Sequence, residues 1–150
     1  MILSKEIKIS VEKSILCWLA TSSADNFPNV SPKEIFTGHE DSIIVANIAS
    51  PQTVKNIKTN PKVCVSFIDI LVQKGYQIKG NAVIITKKNP EYLKMSSPLT
   101  EMTQGKFPFS TIIKIEVTEA KPIIAPSYLF YPNTTEAEQI ENAKKQYRKL

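Results

Sequence analysis

The sequence predicts a mainly β protein, a small and mainly antiparallel β-barrel of about six strands with a few helices. Runs of strand length recur along the 150 residues, and short turns rather than long helices separate them. The longest run contains Gly80, which suggests the bulge or bend that a barrel corner needs. No internal repeat or low-complexity linker divides the chain, so we expect a single domain over residues 1–150.

The first part of the chain predicts three strands after a short helix. The helix is expected at 4–13, and the strand-like runs lie at 15–22, 29–37 and 43–49. The turn GHEDS separates the last two runs and places His39, the only histidine, at a loop tip with no assigned role. The run IIVANIA is nearly all apolar, so we expect it to be buried on both faces.

A helix between Ser50 and Pro61 follows, and its first turn suits an anion. Serine is a favoured N-cap and Pro51 fits the first helical position, while the residues around Pro61 end the helix. The free N–H groups of a first turn, together with the helix dipole, favour a phosphate, although most helix starts bind nothing. Thr53 would add a hydroxyl donor and Lys55 a positive charge.

The second half predicts three more strands and a C-terminal helix. The strands lie at 62–69, 75–87 and 111–120; the segment 90–104 is mixed, with a possible helical turn at 90–96, and 121–132 reads as extended. The helix is expected at about 135–148, because Thr135 and Glu138 have the spacing of a capping box. Its acidic residues come first and its basic residues last, which suits the helix dipole.

Composition argues against several classes of protein. The net charge of +5 invites a nucleic-acid interpretation, but the only arginine is Arg148, and arginine is preferred for base and phosphate contacts. No apolar run is long enough for a membrane span, and no secretory signal is evident. The two cysteines, Cys17 and Cys64, indicate free thiols rather than a metal site. We therefore expect a cytoplasmic protein that binds no metal and no nucleic acid and is not in a membrane.

Polar residues inside two of the predicted strands are candidates for ligand contacts. Ser31 and Lys33 share one face of the run 29–37, beside Pro32, which cannot donate to a strand ladder. On this pattern alone we expect a solvated face, with a ligand contact as the alternative. Asn47 lies in the apolar run 43–49, and a buried amide needs hydrogen-bond partners. Backbone groups and a ligand are equally acceptable partners at this stage.

The order of these segments resembles the pyridoxamine 5′-phosphate oxidase-like family, which has the FMN-binding split-barrel fold. The resemblance rests on ILCWLATSSADNFPNVSPKE, on IIVANIASPQTVKNIKTNPKVCVSF and on GYQIKGNAVII, and it covers residues 12 to 88. It implies a split β-barrel, FMN as the cofactor, and a homodimer with the flavin between the subunits. The tail PSYLFYP followed by TEAEQI resembles a subgroup of small, mostly uncharacterised members.

The resemblance also implies a set of cofactor-binding residues. The residues implied to line the isoalloxazine ring are Ser31, Pro32 and Lys33. Backbone contacts to the ring and ribityl chain are implied for Ala46, Asn47 and Ile48. The residues implied to hold the phosphate are Thr53, Lys55 and Asn56. One departure stands out, because Gln52 occupies a place where members often carry a cation. Loss of such a charge-assisted contact weakens binding by about 1.5–3 kcal/mol unless Lys33 or Lys55 compensates.

The functional prediction is an FMN-dependent oxidoreductase that passes hydride or electrons from a reduced nicotinamide to an unknown small acceptor. No nucleophile–base arrangement is apparent, which fits a protein whose cofactor carries the chemistry. The alternative is a non-catalytic flavin-binding or electron-transfer module. Another planar cofactor, a deazaflavin or heme, is a third possibility, with heme disfavoured by the single histidine. Vitamin B6 oxidase activity is not predicted, because the arginine and histidine pattern of its substrate site is absent.

Overall fold

The computed structural model describes residues 3–148 and folds them into seven strands and five helices. In chain order the elements are α1 (Lys5–Lys13), β1 (Cys17–Ser22), β2 (Pro28–Lys33), β3 (Phe36–His39), β4 (Ser42–Ala46), α2 (Pro51–Thr59), β5 (Lys62–Asp69), β6 (Lys74–Thr86), α3 (Tyr92–Thr103), β7 (Thr111–Ile124), α4 (Pro126–Phe130) and α5 (Glu136–Tyr147). The predicted mainly β, antiparallel split-barrel class is confirmed.

All seven strands form one antiparallel sheet in the order β2-β1-β5-β6-β7-β4-β3. Its two edge strands, β2 and β3, are consecutive in the chain and are joined only by Glu34 and Ile35. Three residues of chain span at most about 10 Å, so the two edges must approach each other here and the sheet must curl into a half-barrel. The amide of Ala46 donates to the carbonyl of Ile35 at 3.0 Å across this junction. The end of β2 therefore lies beside the end of β4.

Two apolar clusters fill the two sides of the curled sheet. The larger cluster lies inside the curl, where α1 contributes Ile7 and Val11. The smaller cluster joins β4 and β7 to α3 through residues such as Ile44 and Met95. All five residues of β4 are buried, with Ile43 on one side and Ile44 on the other. Burial of this run on both faces was predicted from its continuous apolar sequence.

The long strand β6 bends where the sequence places Gly80. The register between β6 and β7 shifts between Lys79 and Gly80, which is the predicted bulge. A Cβ atom on Gly80 would lie 2.3 Å from the carbonyl oxygen of Glu116, so only glycine allows the backbones this close. The bulge thus depends on the missing side chain at this position.

The predicted strand 29–37 is wrong as one element, because β2 ends at Lys33 and β3 begins at Phe36 on the opposite edge. The inward-facing residues show the break: Ser31 and Lys33 alternate regularly, but Phe36 is also in the core. A single strand would have placed Phe36 on the same face as Pro32, which is exposed. His39 consequently ends β3 instead of standing at a loop tip.

Three further boundaries differ from the sequence prediction. The mixed segment 90–104 contains a full helix, α3, which buries Met95 and Leu99 despite an internal Pro98. The strand predicted at 111–120 continues to Ile124, and the short helix α4 replaces the rest of the extended segment 121–132. The run predicted at 43–49 ends as a strand at Ala46. The C-terminal helix is confirmed as α5, whose capping box is complete.

Among the helices of residues 3–148, none combines the length and the apolar character needed to cross a membrane.

Candidate functional site

The start of α2 presents amide groups that no side chain caps. Ser50 occupies the N-cap position, but its hydroxyl donates to the carbonyl of Ile48 at 3.1 Å instead of capping the helix. The prediction that Ser50 is a conventional capping side chain is therefore wrong. Within residues 3–148, no hydrogen bond engages the amides of Gln52 and Thr53. These free donors, with the positive end of the helix dipole, favour an anion.

Lys33 brings a positive charge to this helix start. Its side chain is 6% exposed, because Lys33 faces inward at the end of β2, and its Nζ donates to the hydroxyl of Ser50. No carboxylate within the described part of the chain forms a salt bridge with it. Lys33 is therefore a buried cation whose hydrogen-bond partner is a neutral hydroxyl.

The surroundings of Lys33 do not neutralise its charge. Burial lowers the pKa of Lys33, and the neighbouring Cys17 opposes that change only in part. Burial raises the pKa of the Cys17 thiol to about 12, so this group is neutral at physiological pH and supplies no counter-ion. A bound anion would pair with Lys33 and relieve the unfavourable burial of its charge.

A cavity of about 250 Å³ opens beside Lys33, where the ends of β2 and β4 meet. It is lined by Pro32, Lys33, Glu34, Ile35, Ala46, Ile48 and Phe107. Four of the predicted flavin-contacting residues are therefore brought together, namely Pro32, Lys33, Ala46 and Ile48. Pockets for whole drug-sized ligands usually exceed about 300 Å³, so this cavity suits one ring-sized part of a ligand. Ser31 lies half-buried on the same inward face of β2.

Asn47 faces a different space from its two neighbours. It lines a separate groove of about 660 Å³ between α2 and the strands β6 and β7. Its Nδ2 donates to Thr111 Oγ1 at 2.8 Å, while its Oδ1 is buried without a partner in the described residues. The ligand-free protein thus leaves one acceptor of Asn47 unsatisfied.

The three residues predicted to hold a phosphate on α2 are not brought together. Thr53 and Asn56 are each 1% exposed, and Asn56 donates to Thr21 Oγ1 at 2.9 Å while accepting from Gln52 Nε2 at 2.7 Å. Asn56 therefore fastens α2 to β1. Lys55 is exposed, and its charge contributes to lowering the pKa of Asp25, after the hydrogen bonds from Ser23 and the backbone.

Sequence reasoning missed two residues at these sites. Phe107 lines the cavity from the loop that follows α3, and Thr111 fixes the amide of Asn47 from the first position of β7. The loop GKFPF stands out in the sequence for its two aromatic residues, but no pattern connects it to β2 and β4. Both contacts join segments more than 60 residues apart, which only the folded sheet brings together.

The arrangement combines features that suit a planar molecule with an anionic group. Lys33 and the free amides of α2 can hold the anion, and the apolar cavity walls can hold a ring. A flavin nucleotide combines these two features, because it carries a planar ring system and a phosphate. The residues present therefore fit FMN.

Comparisons with known proteins agree with the fold. A family profile described as pyridoxamine 5′-phosphate oxidase matches residues 3–140. The uncharacterized protein MJ0282 of Methanocaldococcus jannaschii is 28% identical over 120 residues, which are 78% of each chain. The crystal structure of HupZ from group A Streptococcus is similar with a TM-score of 0.67 and 26% identity, covering 79% of this chain and 91% of that chain.

Other solved structures with this fold are named for several cofactors. An FMN-binding protein from Syntrophomonas wolfei has a TM-score of 0.64 at 16% identity, covering 79% of this chain and 86% of that chain. An F420 reductase, an FAD-binding protein from Mesorhizobium loti and the heme storage protein HutZ from Vibrio cholerae have TM-scores of 0.58–0.65 at 15–21% identity. At these identities the likeness establishes the fold alone.

Proposed function

This chain belongs to the pyridoxamine 5′-phosphate oxidase family, and on that premise we propose that it binds FMN and acts as an oxidoreductase. When bound, FMN would accept hydride from a reduced nicotinamide and pass electrons to a small acceptor. The observation that carries the proposal is Lys33, a buried cation without a carboxylate partner among residues 3–148, beside a ring-sized cavity.

Lys33 takes the role of the cation that Gln52 does not supply. Its Nζ contacts Ser50 at the N-cap of α2, next to the free amides of the first turn. A phosphate at this place would receive hydrogen bonds from these amides and a charge-assisted bond from Lys33. Lys55 is exposed and interacts with the nearby carboxylate of Asp25. Its attraction to a bound phosphate is therefore weaker than that of Lys33, because solvent screens it.

The remaining predicted residues divide between the ring and the frame. Pro32, Ala46 and Ile48 form apolar walls for the ring, and Ser31 lies beside them on β2. Asn56 and Thr53 are buried and hold α2 in place, so we assign them the role of orienting the start of the helix. Asn47 faces the separate groove and its amide bonds to Thr111, so we assign it to the frame as well.

The position of His39 favours a flavin over heme. His39 pairs with Ser42 at one end of the β3–β4 hairpin, whereas the cavity lies at the other end, beside Ala46. Ala46 lies four residue steps along the strand from Ser42, which is about 13 Å. The single histidine is therefore poorly placed to bind the iron of a heme in this cavity.

We propose that the protein acts as a homodimer, in which the partner subunit completes the flavin site. The outer face of β1 and β2 exposes Trp18 and Val30, and Trp18 also lines a groove of about 740 Å³ with apolar residues such as Ile70 and Leu71. Contiguous exposed apolar surface of this kind indicates an interaction site. Trp18→Glu should convert a dimer into a monomer in analytical ultracentrifugation, and a wild-type protein that sediments as a monomer refutes the proposed dimer.

The free thiols Cys17 and Cys64 fit a reducing, cytoplasmic location.

Titration of the purified, cofactor-free protein with FMN, riboflavin, F420 and heme tests the cofactor. The expected result is saturable binding of FMN that is tighter than binding of riboflavin, because only FMN carries the phosphate. Bleaching of the bound flavin by NADH or NADPH tests the redox role. A bound flavin that neither nucleotide reduces favours the alternative, a non-catalytic flavin-binding or electron-transfer module.

A further inference from the structure

The loop after α3 is shaped to return the chain to the cavity. Gln104 and Gly105 both have positive φ, 51° and 71°, and reverse the chain directly after the helix. The buried Thr103 holds the turn, because its hydroxyl accepts from the amide of Gly105 at 3.2 Å and its carbonyl accepts from Lys106 at 3.0 Å. The turn places Phe107, two residues later, at the edge of the cavity.

Phe107 supplies the aromatic part of the cavity wall. The other walls come from the end of β2, the link to β3 and the end of β4, where Pro32, Ile35, Ala46 and Ile48 are apolar and Lys33 and the exposed Glu34 are charged. Phe107 is nevertheless 56% exposed, so part of its ring has no protein group to cover it. Aromatic rings pack favourably against other rings in offset or edge-to-face arrangements. A conjugated ring in the cavity would provide the cover that the protein alone lacks.

We propose that Phe107 is a ring-contacting residue of this site, which packs against the isoalloxazine of the bound flavin while Lys33 holds its phosphate. The inference rests on the proposed flavin binding and adds a residue that the sequence resemblance does not assign. It divides recognition between two residues. Phe107 recognises the ring, which FMN and riboflavin share, and Lys33 recognises the phosphate, which FMN alone carries.

This division gives the two residues different binding signatures. Phe107→Ala should weaken FMN and riboflavin by the same factor, roughly two- to thirteenfold, and leave the ratio of their dissociation constants unchanged. Lys33→Met should weaken FMN alone, roughly ten- to 150-fold, and shift that ratio toward one by the same factor, while the amides of α2 still contact the phosphate. Phe107→Tyr keeps the aromatic face and should bind both ligands within about twofold of wild type.

The experiment measures dissociation constants by quenching of flavin fluorescence, with folding of each variant checked by circular dichroism. Phe130→Ala is the matched control, because Phe130 is 77% exposed in α4 and does not line this cavity. Equal binding by Phe107→Ala and wild type, or an equal loss in Phe130→Ala, overturns the role of Phe107 while leaving flavin binding intact. A Phe107→Tyr variant that binds as weakly as Phe107→Ala also overturns it. A wild type that binds neither flavin refutes the proposed function and the inference with it.

Discussion

Replacing Lys33 with methionine should weaken FMN binding and stabilise the ligand-free protein at the same time. Methionine keeps the length and apolar stem of the side chain but removes the ammonium, which is buried with a neutral hydroxyl as its partner. Loss of one charge-assisted hydrogen bond to the phosphate costs about 1.5–3 kcal/mol, or roughly ten- to 150-fold in dissociation constant. Ser50 keeps its bond to the carbonyl of Ile48, so the start of α2 retains a local contact.

The expected gain in stability comes from removing the same charge, which destabilises the folded protein when no anion is bound to it. Removing an unneutralised buried charge should raise the free energy of unfolding by about 1 kcal/mol, which raises the melting temperature of a protein of this size by roughly 2–4 °C. The assay pairs isothermal titration with FMN and thermal unfolding of the ligand-free protein. If FMN affinity were unchanged, or if the variant lost both affinity and stability, Lys33 would not be the anion-binding group described here.

The same residue gives FMN binding a predictable dependence on pH. Burial holds the pKa of Lys33 below that of an ordinary lysine, so the unfolded chain binds more protons in the interval between the two values. Stability of the ligand-free protein should therefore rise with pH through that interval. A bound phosphate favours the charged lysine, so FMN affinity should fall as the pH rises through the lowered pKa. Riboflavin carries no phosphate, so its affinity should not fall in this way. Lys33→Met should therefore make the pH dependence of FMN affinity the same as that of riboflavin affinity.

Three other substitutions separate binding from stability. Lys55→Met is matched in chemistry to the Lys33 variant. It should weaken FMN binding by no more than about fivefold in titration calorimetry, because an exposed charge contributes at most about 1 kcal/mol. A loss of affinity as large as that of the Lys33 variant would indicate that the phosphate binds at Lys55 instead. Asn56→Ala should lower the free energy of unfolding in urea by about 1–3 kcal/mol, because it leaves the buried Thr21 hydroxyl without its donor; unchanged unfolding would contradict a framework role. Gly80→Ala should lower it by at least about 2 kcal/mol, because its Cβ would lie 2.3 Å from a backbone oxygen; a wild-type melting curve would show that the bulge tolerates a side chain.

Much of the fold could be predicted because it follows from local patterns. The run 43–49 is continuously apolar and its strand is buried on both faces, Gly80 marks the bulge, and Thr135 with Glu138 marks the start of α5. Failures occurred where the long-range fold overrides a local pattern. The run 29–37 reads as one strand, but closure of the half-barrel requires a crossing after Lys33 that no local signal reports.

The candidate site could be predicted only in part. Alternation along β2 predicted that Ser31 and Lys33 share a face, but the solvated face that the pattern favoured is wrong for Lys33, which is buried. The position of Asn47 in an apolar run predicted an amide in need of partners, as its unpaired Oδ1 shows. The spacing on α2 could not show that Asn56 would turn toward Thr21. Phe107 could not be found either, because its contact with the ends of β2 and β4 exists only after the sheet has curled.

FMN binding is tested by the visible absorption spectrum of the purified protein, recorded before and after incubation with FMN and desalting. We expect flavin absorption bands that remain with the wild-type protein and are reduced in the Lys33→Met variant. A wild-type protein that retains no flavin after incubation, or that is isolated with the Soret band of heme, would contradict it.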